Sequence, residues 1–77
     1  MRFQITMNMP SKSGNPVHQV IGDYPAHSLE DFVEAMSQED FIVVDEIYKD
    51  NQTGSMFSNG FVALNPLFIG KVKVFQQ

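Results

Sequence analysis

The chain contains no cysteine, and only five of its 77 residues are lysine or arginine. Without cysteine there is no disulfide to staple a small fold, no thiolate nucleophile, and no Cys-ligated zinc or iron–sulfur site. The five cations stand against nine acids, a formal net charge of −4. Neutralising nucleic-acid phosphates needs a basic stripe, so this balance argues against direct nucleic-acid binding. Long apolar runs are also missing. Nothing approaches the roughly 18 apolar residues of a membrane span, so no membrane partner is expected. Residues Met1 to Thr6 alternate apolar and polar rather than forming the apolar core of an export signal. The expected setting is the cytoplasm, and the glycosylation pattern Asn51-Gln52-Thr53 then carries no weight.

Hydrophobic residues make up 43% of the chain and charged residues 18%, the balance of a folded protein rather than a disordered one. The length suits one domain over residues 1–77. A chain of this size buries only about 60–65% of the surface it exposes when unfolded. Small scaffolds compensate with disulfides, metals or a partner subunit, and the first is excluded here. The seven phenylalanines can fill a core or supply an interface.

Periodicity yields five strands and one helix. Phe3, Ile5, Met7 and Met9 alternate with Arg2, Gln4, Thr6 and Asn8, so residues 2–9 read as a half-buried strand. The turn formers at 10–16 join it to a second strand over 17–22. Ser28 with Asp31 three residues on makes a capping-box-like helix start, imperfect because Asp is shorter than Glu. Leu29, Phe32, Val33 and Met36 fall on one face of a helix expected over 29–37. Residues 41–48 are β-branched and apolar at their start and read as a central strand. The turn at 50–54 leads to an antiparallel strand over 55–64, in which Asn59-Gly60 is expected to form a bulge rather than a tight turn. Asn65, Pro66 and Gly70 frame a short helical turn over 66–69, and residues 71–75 alternate again. The order β-β-α-β-β-β predicts an α+β fold, an antiparallel sheet with one helix packed on one face. The alternative is a sheet curled into a partly closed barrel.

No catalytic set emerges. His18, His27 and Asp23 are the residue types of a two-histidine, one-carboxylate metal site, but their spacing matches no metal signature. Glu30 with Glu34, and Asp45 with Glu46, are the carboxylate pairs. The first is i, i+4 on an exposed helix face. The second points to opposite faces of a strand, so one member is aimed inward. No serine sits in a nucleophile elbow, and Gly14, Gly54, Gly60 and Gly70 are isolated, so no loop cradles phosphate. No cofactor, metal or enzymatic activity is expected.

The charge layout carries more information. Residues 30–50 hold eight acids and one lysine, a net −7, while the rest of the chain carries +3. The expectation is a non-enzymatic protein-interaction module, an inhibitor or adaptor. It would present Glu30, Asp31, Glu34, Glu39 and Asp40 to a basic partner, such as a nucleic-acid-binding protein. A structural subunit that forms a homodimer is the second expectation. A small nucleic-acid-binding domain using Arg2, Lys71 and Lys73 is the third.

Overall fold

The computed structural model describes residues 1–8 and 17–76. Met9, at the expected end of the first strand, and the turn at 10–16 lie outside the described residues. Strands β1 (Arg2–Asn8) and β2 (Val17–Asp23) are followed by the helix α1 (Leu29–Gln38). Strands β3 (Ile42–Lys49) and β4 (Met56–Leu64), a 3-10 turn (Pro66–Phe68) and β5 (Ile69–Val74) complete the chain. The strands form one antiparallel sheet in the order β4-β3-β2-β1-β5. The expected α+β architecture is therefore present. β4 and β5 are its two edges and do not pair, so the sheet is not closed into a barrel.

The alternation read in β1 sets the faces. Phe3, Ile5 and Met7 are buried on the helix side, together with Val20 of β2, Ile42 and Val44 of β3 and Leu64 of β4. Arg2, Gln4 and Thr6 occupy the open face. Phe32 of α1 is the keystone of the core. Its ring centroid lies 4.5 Å from that of Phe3 and 5.2 Å from that of Tyr24, the latter edge-on. That aromatic triplet rotates the helix away from the expected orientation. Ala35 packs against the core beside Leu29 and Met36, while Val33 is 52% exposed. Placing Val33 on the buried face is thus corrected: it lies at the far margin of a stripe centred on Phe32.

Local signals were read well. The Ser28 hydroxyl accepts from the Asp31 N–H at 3.1 Å, and the Asp31 carboxylate accepts from the His27 N–H at 3.2 Å. The short Asp side chain thus caps one residue further out than a Glu at this position normally would. Asn65 Oδ1 accepts from the Leu67 N–H at 3.0 Å, fixing the 3-10 turn. Gly70 is not the exit of that turn. It lies in β5 as the extra residue where the β1–β5 register shifts between Thr6 and Met7, so β5 starts at Ile69, two residues earlier than expected.

Two distortions shape the sheet. Asn59 and Gly60 of β4 stand against the single residue Glu46, between the pairs Asp45↔Phe61 and Ile47↔Ser58. This is the expected bulge, with Gly60 at φ +101°, a conformation that penalises any side chain. Bulges bend a strand and add twist. As a result Arg2 Nη1 reaches Met56 Sδ at 3.9 Å, although β1 and β4 are separated by two other strands, a spacing of about 14 Å in a flat sheet. The second distortion is the link between the two edges. Only residues 65–68 connect β4 to β5, whereas the edges of a flat five-stranded sheet lie about 19 Å apart. The sheet must therefore curl.

Candidate functional site

The acidic residues expected to bind a partner all lie at the surface. Glu30 and Glu34 project from α1, and Glu39 and Asp40 follow its end. No lysine or arginine neutralises them: the only salt bridge among the described residues joins Arg2 to Asp23. Their standing differs, however. Asp31 is occupied in the helix cap, and Glu34 Oε1 accepts from Gln38 Nε2 at 3.4 Å. Glu30, Glu39 and Asp40 have no side-chain hydrogen bond among those described. Val33 lies beside this group, three residues from Glu30 and next to Glu34, half uncovered. The helix therefore offers an apolar spot bordered by carboxylates rather than a purely solvated face.

The remaining candidates resolve into structural roles. His18 pairs with Met7 on the helix-side face, while Asp23 pairs with Arg2 on the open face. His27 precedes the helix cap. These three do not converge, and no three metal-ligating side chains cluster among the described residues. Asp45 and Glu46 are half-buried and face opposite ways, as expected, but neither aims into the core. The Ser58 hydroxyl donates to Asp45 and itself accepts from the Gly60 N–H at 3.3 Å, while Asn59 Nδ2 donates to Glu46 Oε1 at 3.2 Å. Both carboxylates thus clasp the β4 bulge.

Arg2 was expected to join Lys71 and Lys73 in a cationic patch. β1 and β5 do pair, with Gln4 opposite Lys73 and Thr6 opposite Lys71. Arg2, however, is engaged by Asp23 through Nε at 2.7 Å and Nη2 at 3.1 Å. Those hydrogen bonds hold the Asp23 carboxyl below its ordinary range, against a smaller opposing effect of burial, and raise Arg2 further. The patch is reduced to two exposed lysines on the β5 edge.

The phenylalanines of the second half do not all turn inward. Phe57 is 48%, Phe61 77% and Phe68 45% exposed. On the helix side, Phe41 and Phe68 wall a depression of about 520 Å³ floored by Met7, Val20, Val62 and Leu64. On the open face, Val43 pairs with Ala63 and Asp45 with Phe61, so Val43, Phe61 and Ala63 form an exposed apolar strip along the β4 edge. Tyr48 and Phe57 stack at 5.3 Å on the far end of the same hairpin, both about half exposed. Period-two reading placed these residues in strands but could not say which strand is an edge.

The fold and surface define a small α+β domain with an unneutralised acidic helix and an apolar sheet edge. Comparison with protein-family descriptions, curated proteins and solved structures finds no match for this chain. The functional reading rests on the chain's own chemistry.

Proposed function

We propose that this protein is a non-enzymatic interaction module, an inhibitor or adaptor, that binds a basic protein surface through α1 and the residues just after it. The observation that carries the reading is the unneutralised acidic group Glu30, Glu34, Glu39 and Asp40 beside the uncovered Val33. Apolar side chains left exposed among charges are the pattern of an interface, in which a desolvated centre supplies affinity and a charged rim supplies orientation and encounter rate. Asp31 contributes to the field but is committed to the helix cap. A partner with a lysine- and arginine-rich surface, such as one that also binds nucleic acid, has the complementary potential.

The test is affinity purification from the native host with the wild-type chain and with Glu30, Glu34 and Glu39 reversed to Lys. These side chains are exposed, so the fold persists. The expected result is loss of basic partners with the variant and elution of the wild-type complex by moderate salt. Recovery of every partner unchanged would sink the proposal. A catalytic role draws no comparable support: the carboxylates of β3 are tied to the bulge, and His18 and His27 stand apart from them.

A further inference from the structure

The two edges of the sheet are built differently. β5 carries Lys71 and Lys73, both exposed, and lysines along an edge are a standard guard against strand addition. β4 runs from Met56 to Leu64 without one charged residue, and Phe61 on it is among the most exposed apolar side chains of the molecule. We propose that this edge pairs with the same edge of a second copy, giving a two-fold dimer with a continuous sheet.

Charge selects this occupant and this arrangement. Pairing β5 with β5 would bring four lysines together. Pairing β4 with β5 of the next copy is head-to-tail and leaves a free edge at each end of a growing chain. Pairing β4 with β4 opposes uncharged strands and closes. The bulge at Asn59–Gly60 interrupts the edge and limits regular pairing to Phe61–Leu64. A two-fold axis normal to the sheet keeps the faces aligned. With the axis at Val62, Phe61 of each copy meets Ala63 of the other, and the exposed strip with Val43 becomes shared between copies.

The size of this contact sets the strength. Phe61 is 77% exposed, and covering it with its neighbours on both copies removes several hundred Å², below the roughly 1,200–2,000 Å² of stable complexes. The dimer is therefore concentration-dependent. It uses a surface separate from the acidic helix, so the two proposals stand or fall independently.

Sedimentation velocity from ~10 µM to ~1 mM, a range suited to a sub-standard interface, tests it with wild type, Phe61→Lys, Ala63→Lys and Val33→Lys. Circular dichroism checks that each variant is folded. The expected result is a wild-type mass rising from 8.7 kDa towards twice that value, with Val33→Lys following it. Phe61→Lys and Ala63→Lys should stay monomeric throughout. A wild type that remains monomeric across the range overturns the proposal, as does association of folded Phe61→Lys or Ala63→Lys equal to that of wild type.

Discussion

Gly22 offers a sharp quantitative test of the packing. It lies on the helix-side face of β2, opposite Phe3, where a Cβ would stand 2.7 Å from Val44 Cγ2 and 2.9 Å from Val44 Cβ. Val44 is fully buried. Rotating its side chain can move the Cγ2 methyl but not the Cβ, which the backbone of β3 fixes. Gly22→Ala therefore requires β2 and β3 to shift apart. Overpacking of this kind costs about 1–3 kcal/mol. The opposing gain, from a less flexible unfolded chain, is about 0.4–1 kcal/mol. The net expectation is a loss of about 1–2 kcal/mol, or a fall in Tm of roughly 5–15 °C for a domain this small. Urea unfolding followed by circular dichroism measures it. Val44→Ala removes the two methyls while leaving the Cβ contact, so the double variant should be more stable than the sum of the singles by at least about 0.5 kcal/mol. Wild-type stability in Gly22→Ala, or strict additivity in the double variant, would refute the close approach of these strands.

Three further outcomes follow from the same contacts. Ser28→Ala removes the acceptor for the Asp31 N–H and should cost about 1 kcal/mol in urea unfolding, with Ser28→Asp retaining most of it. Gly60→Ala places a side chain at positive φ and should cost about 1–2 kcal/mol, while Gly60→Asn, better tolerated in such conformations, should cost less; equal losses in the two would argue against backbone strain. The Arg2–Asp23 pair makes stability pH-dependent in acid. Because Asp23 titrates below its ordinary 3.8 in the folded chain, its contribution is complete above that value and lost as pH falls through the lowered one. The partners are about a third exposed, so the effect is under about 1 kcal/mol. Unfolding measured between pH 2 and 6 should show Asp23→Asn with a shallower acid limb than wild type, and identical limbs would remove the pair from the stability balance.

Much of this fold was legible because short-range signals agreed with one another. Period two in β1, the Ser28–Asp31 cap and the Asn65-Pro66 turn each depend on a few adjacent residues, and each formed as read. The bulge at Asn59-Gly60 was legible for a similar reason: four-residue flanks are too short for an independent hairpin. What was not legible depends on long-range geometry. Val33 satisfies the helical period but was displaced when Phe32 settled between Phe3 and Tyr24, and no helix-wheel argument contains those two rings. Gly22 gave no turn signal because its role is close approach to Val44 of another strand. Asp45 and Glu46 were correctly placed on opposite faces, yet their partners Ser58 and Asn59 depend on a register that only pairing reveals. The exposed phenylalanines were ambiguous for the same reason, since burial in a sheet depends on which strand becomes the edge.

The most direct measurement of the interaction proposal is an NMR titration of the isotopically labelled chain with a basic partner recovered by affinity purification. The expected result is amide shifts concentrated at Glu30, Val33, Glu34, Glu39 and Asp40 that shrink as salt is raised, with Lys71 and Lys73 unmoved. Shifts confined to β5 or to the 3-10 turn, with the helix amides unchanged, would contradict it.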